Sequence, residues 1–130
     1  MRLFRGVALL CSAYVVVGCG VSAKDEVQAK VEQFAHATAG KDVHTLCTQV
    51  LVPALVSRLT AAGITCDRAM KIFVDSVSNP TISVSKITVH GQQASAVVLA
   101  AATGQTATVQ RIQLTQTRNG WRLASLAAPT

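Results

Sequence analysis

TISVSKITVHG, residues 81–91, decides the fold. Apolar and polar residues alternate along it, which is the period of a half-buried β-strand. The alternation also slips. Ile82 and Val84 share one parity, whereas Ile87 and Val89 share the other. Successive side chains of a strand point to opposite faces, so a regular strand cannot bury both pairs against one core. One extra residue near Ser85-Lys86 reconciles them, and a strand bulged in this way bends. The stretch therefore predicts a curved sheet.

Downstream, QQASAVVLAAATG, QTATVQRIQLTQTRNG and GWRLASL continue as three further strands. Gly91, Gly104 and Asn119-Gly120 mark the turns, the last being a strong hairpin signal. Val109 is out of step with Ile112 and Leu114, which predicts a second slip, in the third strand. Short connections between consecutive strands make an antiparallel meander.

Upstream the period changes to that of a helix. SAKDEVQAKVEQFAHATAG places Val27, Val31, Phe34, Ala35 and Thr38 on one face, with Ser22 and Asp25 as a capping box and Gly40 as the stop. A second helix starts at Asp42 and carries Val43, Leu46, Cys47 and Val50. Pro53 opens a third, with Leu55, Val56 and Leu59 inward. A fourth starts near Thr65, uses Ala69, Met70, Phe73, Val74 and Val77, and ends at Asn79-Pro80. The class is α+β: N-terminal helices packed on a curved antiparallel four-stranded meander.

The first residues have a different character. MRLFR supplies two arginines and no acid, and GVALLCSAYVVVG follows as an apolar run. A basic start with ~7–15 apolar residues is the layout of an export signal, whereas a membrane span needs ~20. Lys24, Asp25 and Glu26 arrive too early for a span. Val16-Val17-Gly18-Cys19 resembles the lipobox of bacterial lipoproteins, with Gly18 and Cys19 matching well and Val16 and Val17 less usual. The resemblance implies cleavage before Cys19 and a lipid on its sulfur, hence a signal at 1–18, a lipid-attached tether at 19–23, and one domain at 24–128. It also implies a protein held on the extracytoplasmic face of the cell membrane through its acyl chains, since two or more chains anchor stably.

Of the four cysteines, Cys11 then leaves with the signal and Cys19 carries lipid. Cys47 and Cys66 remain and, in an oxidising compartment, are expected to form a disulfide. Neither belongs to a C-x-x-C or sits near a second ligand pattern, so no metal site and no cofactor are expected. The chain carries 12 basic and 6 acidic residues, and the whole excess outside the signal falls on Lys86, Arg111, Arg118 and Arg122. Nucleic acid is a poor partner, because outside the signal only Trp121 offers an aromatic platform on the strands.

The residues VEQFAHATAGKDVHTLC, the later Cys66 and the closing NGWRLASL together resemble the nuclear-transport-factor-2-like superfamily, a cone-shaped α+β fold, and within it small secreted lipoproteins of actinobacteria. The likeness spans roughly residues 24–126 and consists of patterns rather than a catalytic signature. It implies that the first helix crosses a concave sheet with a pocket between them. On that basis Val27, Val31 and Phe34 face Val97, Leu99, Ile112, Leu114 and Trp121, with Phe73 closing one end. It also implies that a homodimer through the open sheet face is possible. Ala94, Ala96, Ala100 and Ala102 are short, so the sheet either lets the helix pack closely or leaves a void.

Enzymes of this fold, among them isomerases and dehydratases, work with Asp, His or Tyr in the pocket. Here residues 76–130 contain no Asp and no Glu, and Tyr14, within the signal, is the only tyrosine. His90 adjoins a turn, His44 is expected on an exposed face, and His36 could act only beside a carboxylate such as Asp42 or Asp75. The leading expectation is a non-enzymatic envelope lipoprotein that binds a small apolar ligand or an envelope protein, with Arg111 or Arg122 available to hold the ligand. The alternatives are an isomerase- or dehydratase-like enzyme acting on a small hydrophobic substrate, and an interaction module whose pocket is filled by side chains.

Overall fold

The computed structural model describes residues 20–129, with side chains as far as Leu126. The expected signal at 1–18 and Cys19 lie outside the described residues.

The first helix, α1 (Ala23–Ala39), begins on the expected capping box. The Ser22 hydroxyl accepts from the Asp25 N–H at 3.2 Å, while the Asp25 carboxylate accepts from the Ser22 N–H at 3.3 Å and its hydroxyl at 2.7 Å. It buries Val27, Val31, Phe34, Ala37 and Thr38 and stops at Gly40. Ala35 is only half-buried, and Ala37 takes the core position instead.

Asp42 caps α2 (Val43–Thr45) by accepting from the Thr45 N–H at 3.0 Å. The chain then departs from the plain helix that the pattern predicts. Leu46–Val50 forms a π-helical turn, closed by the Leu51 N–H donating to the Leu46 carbonyl at 3.0 Å. Such a turn accommodates one extra residue. Leu46 and Val50 can both stay buried while Leu51 peels away to bridge Leu123 in parallel, with the Val52 N–H donating to the Leu123 carbonyl at 2.9 Å. Pro53 opens α3 (Pro53–Ala61), whose Leu55, Val56 and Leu59 are half-buried. Thr65 caps α4 (Cys66–Asp75), which buries Cys66, Met70 and Val74. The expected disulfide joins Cys47 to Cys66, with Cα atoms 5.9 Å apart, and ties the π turn to the start of α4. Asn79, left-handed at φ 48°, and Pro80 end the helical half.

Strands β1 (Thr81–His90), β2 (Gln93–Ala102), β3 (Gln105–Thr117) and β4 (Gly120–Pro129) form one antiparallel meander in the order β1-β2-β3-β4. The β1 bulge falls where the parity slip puts it. Register shifts between Val84 and Lys86, and the extra residue, Ser85, donates its hydroxyl to the Val97 carbonyl at 3.0 Å. Ile82 and Val84 stand opposite Ala100 and Val98, and beyond the bulge Ile87 and Val89 stand opposite Ala96 and Ala94. All eight share the helix-facing side.

That register corrects two expectations. Val97 and Leu99 do not face the helices. Ala94, Ala96 and Val98 are buried, so the odd positions of β2 take the outer face, leaving Val97 half-buried and Leu99 46% exposed. Small residues on the central strand accommodate the Ile and Val of β1 and the Ile112 and Leu114 of β3, which sets the parity. The slip predicted at Val109 is also absent from β3. Pairing with β2 runs unbroken from Gln93↔Thr115 to Ala100↔Thr108, and Val109 lies outward, 55% exposed. β3 does carry an extra residue, but before Val109, where Ala100↔Thr108 steps to Ala102↔Gln105, and β4 carries further ones, where partners step from Arg111↔Ala128 to Gln113↔Ser125 to Leu114↔Leu123.

Val27, Val31, Leu46, Leu51, Leu114, Trp121 and Leu123 fill the space between helices and sheet. Among the described residues, no helix is long and apolar enough to cross a membrane.

Candidate binding cavity

The core packs closely at one end of the sheet and opens at the other. Ala94 and Ala96 are buried in the packed region, whereas Ala100 and Ala102 line a cleft of about 130 Å³. Both outcomes left open by the short side chains of β2 therefore occur, one at each end. The cleft lies between Phe34 and Thr38 of α1, Phe73 of α4, the first residues of β1 and the first half of β3. A second cavity of about 140 Å³ adjoins it, sharing Phe34, Phe73, Ile82 and Gln110, and extends to Ile112, Leu123 and Leu126. Each is close to the ~150 Å³ of an engineered apolar cavity that takes up benzene.

Of the expected lining residues, Phe34, Phe73 and Ile112 border these cavities. Val27, Val31, Leu114 and Trp121 are buried in the packed core instead. The Trp121 Nε1 is buried without a hydrogen-bond partner. Gln110 and Thr108 contribute polar atoms that were not anticipated. The signal was present: both share the parity of Ile112 and Leu114, so a strand that buries those must turn Gln110 and Thr108 the same way. The Gln110 amide donates to the Thr108 hydroxyl at 3.1 Å, and the Thr38 hydroxyl donates to the Phe34 carbonyl at 2.8 Å. The lining is thus apolar with a few amide and hydroxyl groups, and among its described residues there is no Asp, Glu, His, Tyr or Cys.

The charged candidates lie elsewhere. His36, His44 and His90 are exposed. Asp42 is engaged by Thr45, whose backbone N–H and hydroxyl hold its carboxyl below the usual range. Asp75 accepts from Lys71 at 2.9 Å and Lys41 at 3.3 Å, which likewise lower its pKa. Arg111 is exposed on the outer face, correcting its expected place beside a ligand. Arg122 is also committed: it donates to the Thr48 carbonyl at 2.7 Å and reaches the Leu51 carbonyl at 3.5 Å. Lys30 approaches the same turn, donating to the Gln49 carbonyl at 3.1 Å, and burial followed by the Arg122 charge lowers its pKa. These cations satisfy the open carbonyls at the end of the π turn. Among the described residues no group of three metal-ligating side chains comes together.

No protein-family model and no curated protein matches the chain. Solved structures do. A proposed dehydratase of the NTF2-like family from Streptomyces avermitilis superposes with a TM-score of 0.58 at 14% identity, covering 83% of this chain and 96% of that one. An NTF2-like protein of unknown function from Silicibacter pomeroyi gives 0.56 at 15% identity, covering 79% and 93%. A de novo designed NTF2-fold protein gives 0.54 at 13% identity, covering 85% and 90%. At such identities the likeness concerns the backbone. The helices and the four-stranded antiparallel sheet match the nuclear-transport-factor-2-like fold, and the chain adopts it.

Proposed function

We propose that this is a lipid-anchored envelope protein whose cone holds a small apolar ligand by burial and does not turn it over. The observation that carries the reading is the pair of adjoining cavities bordered by Phe34, Phe73 and Ile82 and free of titratable side chains among the described lining. Concave, mainly apolar space with a few polar groups at its rim is where small ligands characteristically bind. Proton abstraction needs a base within hydrogen-bond reach of the substrate, and the lining supplies amides and hydroxyls only. Volume limits the ligand to one ring or a short acyl segment.

Lipidation at Cys19 and the extracytoplasmic location belong to the same proposal and rest on the sequence at 1–19. The competing reading, a dehydratase- or isomerase-like enzyme, draws on the description of the Streptomyces avermitilis neighbour.

Two measurements test the proposal. Radiolabelled fatty acid should enter the protein in a bacterial host that processes lipoproteins, and Cys19→Ser should abolish incorporation. Benzene titrated into the purified protein should shift the methyl resonances of Ile82, Val98 and Ile112 while leaving those of the outer-face Leu99 in place. Label retained by Cys19→Ser overturns the anchor, and unmoved Ile82 and Ile112 methyls overturn the cavity.

A further inference from the structure

The outer face of the sheet, joined to the first turn of α1, points to a use of its own. We propose that it is a membrane-contacting surface that takes anionic phospholipid headgroups. The idea rests on the proposed anchor at Cys19.

Lys86, Val97 and Arg111 stand opposite one another across the first two ladders, so they share the outer face. In the neighbouring row Leu99 pairs with Val109, the two being 46% and 55% exposed. Two cations thus flank the half-buried Val97, and the exposed Leu99–Val109 pair continues the aliphatic surface in the next row. No acid occurs in residues 76–130, so no carboxylate on the sheet offsets them. All six acidic residues precede the sheet in sequence, at or within the helices.

The second observation is where the preceding chain joins the domain. Lys24, Asp25 and Gln28 of α1 line one groove with Val84, Ser85, Lys86 and Ile87 at the bulge. The tether therefore reaches the domain at the β1 edge, beside Lys86. Asp25 is the acid in this groove, and its carboxylate is taken up by the Ser22 N–H and hydroxyl. Only Gly20 and Val21 separate Cys19 from the Ser22 cap of α1, so the tether spans at most about 11 Å. A bilayer holding Cys19 is then within reach of Lys24 and Lys86. Screening confines attraction to ~8 Å at physiological salt, so the short tether matters.

Charge also separates this partner from a second copy of the chain. A two-fold dimer through the same face would bring Lys86 and Arg111 of each copy together, and like charges across an interface oppose association.

The test reconstitutes the full chain in phosphatidylcholine vesicles with and without phosphatidylglycerol and maps brief lysine acetylation by mass spectrometry. On the anionic vesicles Lys24 and Lys86 should react more slowly by roughly fivefold, the equilibrium factor that one cation near an anionic surface contributes. Lys71, exposed on α4 in the helix layer, should be unchanged and serves as the control. High salt and Arg111→Gln should each restore reactivity at Lys86. Equal rates on the two vesicle types overturn the proposal. Protection of Lys86 on both types alike assigns the face to a second copy or another protein and overturns it too. Fatty-acid labelling of the same preparation reads the anchor separately. An unlabelled chain with charge-dependent protection removes the anchor and keeps the surface, whereas a labelled chain without protection removes the surface alone.

Discussion

Phe34 of α1 and Phe73 of α4 stack with ring centroids 6.2 Å apart and planes 14° from parallel, and both cavities are bordered by that pair. Phe34 is nearly buried and Phe73 half-buried. The stack therefore does two things: it joins α1 to α4 and forms the wall between core and cavity. Phe34→Ala should destabilise by about 3–5 kcal/mol, the range for removing a buried aromatic ring. Phe73→Ala should cost less, because its ring already meets solvent. Chemical denaturation of both variants checks the order, and a larger loss at Phe73 would contradict the assignment.

The disulfide has a separable contribution. Cys47 and Cys66 are 19 residues apart, and closing a loop of that length stabilises by roughly 3 kcal/mol in the chain-entropy model. The double variant Cys47→Ala/Cys66→Ala should lose about that much in urea unfolding. Alkylation of the native oxidised protein should label neither cysteine, and two free thiols would remove the cross-link.

The parity of β2 makes a sharper test, since adjacent residues should behave oppositely. Val98 is 1% exposed and faces the helices, so Val98→Ala should cost about 2 kcal/mol from lost burial and the space left behind. Leu99→Thr should stay within about 0.5 kcal/mol, as surface substitutions usually do. A large loss at Leu99 with none at Val98 would mean that the register is shifted by one.

That contrast also shows what could be read from the sequence. The β1 bulge was legible because Ile82, Val84, Ile87 and Val89 are large and their parity conflict has one cheap solution. In β2 both parities hold apolar residues, Ala94, Ala96 and Val98 on one and Val97 and Leu99 on the other, so local pattern could not choose. Pairing with β1 and β3 decides it, and pairing is not local. The π turn at Leu46–Val50 was illegible for a similar reason. Its extra residue serves the bridge from Leu51 to Leu123, a contact spanning most of the domain. Gln110 was missed despite a clear signal, because polar residues are passed over when inward positions are picked by hydrophobicity.

Acid should weaken one surface link in particular. Asp75 has a lowered pKa through its hydrogen bonds to Lys71 and Lys41. A carboxyl whose folded pKa is depressed contributes stability that is present above its unfolded pKa, ~3.9, and lost as pH falls through the folded value. Asp75→Asn should therefore be slightly less stable than the parent at pH 7, and the difference should vanish in strong acid. Because the carboxylate and both lysines are exposed, salt should shrink the effect. Thermal melts across pH check the convergence, and a gap that widens in acid would reverse the sign.

The cavity's selectivity should be set by Gln110. Its amide borders both cavities, and everything else that the two share is aromatic or aliphatic. Phenol and toluene have nearly the same size, so a purely apolar cavity prefers toluene, which does not bring an unpaired hydroxyl with it. Beside Gln110 the phenol hydroxyl finds a partner, and a net hydrogen bond of about 0.5–1.5 kcal/mol narrows that preference. Gln110→Leu removes the partner and should weaken phenol by up to tenfold while leaving toluene unchanged or tighter. Methyl chemical-shift titrations of the parent and the variant with each compound measure the switch. Parallel changes in both affinities would mean that the ligand sits away from Gln110. Shifts for neither compound would mean that side chains close the cavities in solution and that the domain works through its surface.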